Sequence, residues 1–183
     1  MGGDIAGVRP WKGVKRVSAD PSPVLGEVLR RLAQVVGRYE DNAAFDDGHD
    51  RWSLYRVAMD NPAALPVLFE AVSLERDGSL ASGVVGGVLE RVPADERERW
   101  VRILPTAVRE FSARRARELG VLESLARGAM SAVDVDDLID GWSDWLQLRA
   151  VRVIADEDVL RVVSQRGRTN RIRRAAADSL RPR

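Results

Sequence analysis

Cysteine is absent from the 183 residues, which rules out a disulfide framework, a thiolate zinc site and a cysteine nucleophile. Histidine occurs once, at His49, so a catalytic zinc set lacks a second imidazole and no serine has an evident partner base. Lysine is confined to Lys12 and Lys15, and all other basic side chains are arginine. With abundant Ala, Val and Gly, that bias points to a GC-rich bacterial genome and weakens any argument from arginine count alone. The longest apolar stretch, Val84 to Leu89, falls far short of the roughly 20 residues a membrane-spanning helix needs, and no apolar leader region opens the chain. A cytoplasmic protein without a membrane partner is therefore expected. An excess of one charge sign is lacking too: the formal net charge of +1 gives no overall attraction to nucleic acid, so any such attraction requires local asymmetry.

What is present suits one soluble domain, at 45% hydrophobic and 31% charged residues. Residues 1–20 carry Gly2, Gly3, Gly7 and Gly13, little apolar content and no periodicity, and read as a flexible basic arm with Trp11 inside Arg9 to Arg16. Residues 21–180 read as a single all-helical domain. Its organising stretch is Leu65-Pro66-Val67-Leu68-Phe69-Glu70-Ala71-Val72-Ser73. A degraded copy, Leu104 to Ser112, follows at an offset of 104 − 65 = 39 residues. Apolar residues return at third- and fourth-neighbour spacing in both copies, the phasing of one buried helical face, and a repeat of this length predicts stacked helical hairpins.

Helix signals recur along the chain. Ser22 with Pro23 opens a helix whose inner stripe is Val24, Leu25, Val28, Leu32, Val35 and Val36, ending at Gly37. Asp50 is the expected N-cap of a second helix carrying Trp52, Tyr55 and Met59, and Asn61-Pro62 starts the helix of the first Leu-Pro copy. Leu80 to Val92 predicts a helix bearing Gly83, Gly86 and Gly87, a costly composition that the close approach of a neighbouring backbone would offset. From Ala94 a long helical run is expected, kinked at Pro105 and ended by Gly120, with Arg114, Arg115 and Arg117 near its end complementing the macrodipole. Gly141 is a candidate break in the tryptophan-bearing segment around Trp142 and Trp145.

Three segments invite chemistry. Asp46, Asp47, Gly48, His49 and Asp50 suggest a metal, but the spacing fits no EF-hand loop, and a solvated acidic loop accounts for them. Asp134, Asp136, Asp137, Asp140 and Asp144 form a stretch free of basic residues, where Ile139 stands at the glycine position of a calcium loop. At helix N-termini these carboxylates are explained by capping. No metal or cofactor is expected from either segment. Asp77 to Gly83 holds no Gly-x-Ser-x-Gly elbow. The carboxyl end is the clearest asymmetry: Arg161, Arg166, Arg168, Arg171, Arg173, Arg174, Arg181 and Arg183 face only Asp178, with Gly167 separating a helix that ends at Arg166 from one capped by Thr169.

Val151-Arg152 followed by Ala155 and Val159, and Ile172-Arg173 followed by Ala176 and Leu180, resemble the Val/Ile-Arg-x-x-Ala-x-x-x-Leu hallmark of HEAT-type repeats, and the Leu-Pro copies resemble that family's proline-bearing first helix. The resemblance implies antiparallel helical hairpins stacked as a right-handed solenoid over residues 60–180. It is an irregular one, because the two arginine motifs lie only 172 − 151 = 21 residues apart. It also implies a non-catalytic scaffold that binds another protein along a helical surface. Candidate contacts are the basic Arg166, Arg168, Arg171 and Arg174 and the acidic Asp136, Asp137 and Asp140. The alternatives are DNA or RNA phosphate contact through the same arginines, and an unrecognised enzyme.

Overall fold

The computed structural model describes residues 22–38 and 45–181. The expected arm of residues 1–20 therefore lies outside the described residues, as does Arg183. The described chain forms ten α-helices and two 3-10 turns, with no strand among the described residues. The all-α expectation is met.

Local capping chemistry sets most helix ends. α1 (Pro23–Val35) starts where Ser22 Oγ accepts the Leu25 N–H at 3.2 Å. Its buried stripe is Leu25, Val28, Leu29, Leu32 and Ala33, while Val24 and Val35 are exposed, because α2 and α3 cover only one side of the helix. α2 (Gly48–Met59) is capped by Asp47 rather than Asp50: Asp47 Oδ1 accepts the His49 N–H at 3.0 Å, and Asp50 sits in the first turn. A 3-10 turn, Pro62–Ala64, leads into α3 (Leu65–Leu74), and Asp77 caps α4 (Gly78–Leu89).

Pro105 does not kink a single long helix. It separates α5 (Ala94–Arg102) from α6 (Thr106–Ala126), standing at the N-cap with extended backbone and no N–H to offer. Nor does Gly120 end α6, which runs through it to Ala126 and is closed by Gly128. There φ is +65°, the Gly128 N–H donates to Leu125 C=O and the Ala129 N–H donates to Ser124 C=O, the left-handed closure that glycine permits. Ser131 and Asp134 cap α7 (Ala132–Leu138) reciprocally, and the hydrogen bonds from Ser131 hold the Asp134 carboxyl below its usual range. The expected break at Gly141 is a 3-10 turn, Ile139–Gly141. α8 (Asp144–Val153), α9 (Glu157–Arg166) and α10 (Asn170–Ser179) follow, with Thr169 capping α10 as expected.

Each even-numbered helix touches the next one, from α2 through α4, α6 and α8 to α10, while α1 lies on α3 and α7 on α9. Phe69 and Trp100 meet edge to face at 5.0 Å and join α3 to α5. The glycines of α4 make room for α2: an added Cβ on Gly87 would lie 2.5 Å from Met59 Sδ, and one on Gly83 would lie 3.3 Å from Trp52. The compensation for those glycines is thus side chains of α2, and no backbone comes close. Gly86 faces open space.

The two Leu-Pro copies differ in their surroundings. α3 touches α1, α2 and α4, whereas α6 touches α4, α5 and α8. Val72 is buried, yet its counterpart Phe111 is 61% exposed. The first arginine motif straddles two helices, since α8 ends at Val153 and α9 begins at Glu157. The second lies on α10 with Ile172 and Ala176 buried, but Arg173 donates to Gly167 C=O and Asn170 Oδ1 within its own hairpin.

Candidate functional site

The two regions singled out for opposite charge meet through Arg166 and Arg168. Arg166, the last residue of α9, holds Asp136 Oδ1 at 2.8 Å and Asp140 Oδ2 at 2.7 Å. Those contacts raise its pKa, the hydrogen bond to Asp136 most, so it stays charged throughout. Arg168, in the α9–α10 connection, has Asp144 Oδ1 at 3.6 Å and donates to the backbone carbonyl of Asp140 at 3.1 Å. Arg171 and Arg174 are exposed on α10, and Asp137 is exposed on α7. These three make no ion pair among the described residues. Of the seven expected contact residues, four are therefore brought together and three stand apart.

Gln147 holds this arrangement in place. It is 1% exposed on α8, and its Nε2 donates to Ile139 C=O at 3.1 Å and Trp142 C=O at 3.2 Å, while its Oε1 accepts the Arg168 N–H at 2.9 Å. One buried amide thus fastens the turn before α8 to the loop before α10, with each of its polar atoms used.

Beside that staple opens a cleft of about 340 Å³. Arg114, Arg117, Glu118 and Val121 of α6 form one wall, the Gly141 to Leu146 segment forms the other, and Arg168 stands at the edge. Glu118 is buried, with Arg115 Nη1 3.7 Å away. Arg115 in turn lays its guanidinium 3.2 Å over the Trp145 ring, and Arg149 approaches the same ring at 5.1 Å. Burial lowers the Arg115 pKa, against the neighbouring charges of Glu118 and Glu90. Trp142 is buried and Trp145 half-buried, so these indoles serve packing and cation stacking.

Arg114, Arg117 and Gln147 were not expected at a site. The arginines look like macrodipole partners only if α6 ends at Gly120, whereas they lie in its middle and its last turn holds no basic residue. The signal for Gln147 is a polar residue on an apolar stripe, three and four positions before Ala150 and Val151. At the other suspected site, His49 is exposed. Among the described residues no three His, Asp or Glu side chains converge as a metal would require, and no helix is long and apolar enough to cross a membrane.

Comparison of the chain with known protein families, with curated proteins and with solved structures finds no match.

Proposed function

We propose that this chain is a non-catalytic protein-interaction module, an irregular HEAT-like stack of antiparallel hairpins that meets its partner where α6, the turn before α8 and the α9–α10 connection come together. The observation that carries the reading is the pairing of Arg166 with Asp136 and Asp140 and of Arg168 with Asp144. A uniformly basic face collects polyanions by releasing their counterions, whereas a face of alternating sign selects a partner whose own charges match the pattern. Half of the arginines proposed for nucleic acid are already answered by carboxylates within the protein. The contact of each even-numbered helix with the next supports the stacked-hairpin part of the reading.

Arg171 and Arg174 favour a second reading, phosphate contact, because both are exposed and without an acidic partner among the described residues. The two readings separate on salt. For the first, a protein partner captured without cross-linking stays associated at high salt, and Arg171→Ala with Arg174→Ala leaves it in place. For the second, a single-stranded oligonucleotide binds with steep salt dependence and is lost with those two substitutions.

A further inference from the structure

We propose that the cleft between α6 and the turn entering α8 seats an acidic peptide segment of a protein partner, with a carboxylate held by Arg114, Arg117 and Arg168 and an apolar neighbour lying on Phe111. This rests on the protein-interaction reading and names the chemistry of the partner.

The charges of the cleft do not cancel. Glu118 is matched by Arg115 at 3.7 Å, and Arg168 is shared with Asp144 at 3.6 Å. Arg114 reaches Glu110 only at 4.0 Å, with both side chains well exposed, and Arg117 has no ion pair among the described residues. Two guanidinium groups on successive turns of α6 are thus left to address an anion, and their planar forks suit a carboxylate. A volume of about 340 Å³ admits one or two side chains and no duplex. Asp140 and Asp144 stand beside Arg168, where they oppose a continuous run of phosphates but leave room for a single carboxylate. Phe111 is 61% exposed about one turn before Arg114, so an aromatic ring and arginines share one helix, the combination that dominates binding energy at protein interfaces.

Selection of random short peptides displayed against the full chain tests this. The expected binders are rich in Asp and Glu next to Leu or Phe. Arg117→Glu should weaken them about tenfold or more, Arg114→Glu and Phe111→Ala several-fold, and Arg117→Lys little. All three substituted positions are on the surface, so helical circular dichroism should not change. Binding to Arg117→Glu should return when the peptide acids are exchanged for lysines. Selected peptides indifferent to Arg114 and Arg117 would overturn the cleft as the seat while leaving the interaction-module reading intact. Failure to select any peptide, by a chain that still cross-links to a protein partner, would overturn the acidic-segment proposal alone. An oligonucleotide that binds more tightly than every peptide and is lost with Arg117→Glu would overturn both.

Discussion

Glu75 is buried between α3 and α4 and is used completely. Its Oε2 accepts from Arg51 Nε at 2.9 Å and from the Tyr55 hydroxyl at 3.1 Å, and its Oε1 accepts the Asp77 N–H at 3.1 Å. Arg51 adds bonds to the carbonyls of Phe45 and Asp46, so a single pair ties α2 to the α3–α4 connection and to the chain before α2. Removing one partner strands the other charge, and Glu75→Ala should cost about 3–5 kcal/mol in urea unfolding. Tyr55 adds a pH dependence. Burial first, then the Glu75 charge and hydrogen bond, raise its pKa, with Arg51 opposing. An unfolded tyrosine loses its proton near pH 10, whereas the folded chain keeps it, so the folded state binds more protons above that point. Stability should be unaffected by this group below about pH 10 and fall as the pH rises beyond it. Tyr55→Phe should abolish that alkaline slope while losing about 1.5–3 kcal/mol at neutral pH with its charged hydrogen bond. An unchanged slope in Tyr55→Phe would assign the alkaline loss elsewhere. None of this network was legible in sequence, because Arg51, Tyr55 and Glu75 look like ordinary helix-surface or stripe residues until α2 and α3 are packed.

At the scale of elements, the glycines differ in what they do. An added Cβ on Gly86 or Gly120 meets nothing within 4 Å, so Gly86→Ala and Gly120→Ala should each raise stability by up to about 1 kcal/mol. A Cβ on Gly167 would lie 2.7 Å from both Val163 C=O and Ile172 Cγ2, so Gly167→Ala should destabilise by about 1–3 kcal/mol. Urea midpoints of the three variants check the order, and a stabilising Gly167→Ala would contradict the close approach. Helix starts at Ser22 and Thr169 follow from capping groups that act within three residues, and so could be read in advance, whereas α4 starts at Gly78 under its Asp77 cap, ahead of the expected Leu80. The passage of α6 through Gly120 could not, because a helix tolerates one glycine when its flanks pack, and Leu119 and Leu122 are buried on either side. That extension moves Arg114 and Arg117 from a helix end to mid-helix and so places them on the cleft.

At the scale of the whole molecule, packing neighbours are shared unevenly among the helices of the described residues. α6 lies between α4 and α8 and also rests on α5, whereas α10 packs chiefly on α8 and α9 among the described residues. Amides of α6 should therefore exchange with solvent about tenfold or more slowly than those of α10, as read by hydrogen-exchange mass spectrometry. Equal protection across both would mean that the chain opens as one unit. The helical class, the helix starts at Ser22, Ala94 and Thr169 and the break at Gly141 were determined by the sequence alone, since apolar spacing, capping side chains and glycine act over a turn or two. Only the tertiary structure decided that Arg166 would reach back 30 and 26 residues to Asp136 and Asp140, that α3 and α6 would have different neighbours despite matching Leu-Pro openings, and that three arginines would border one cleft. Those outcomes depend on which faces of separate helices bury each other, a competition that no local pattern encodes.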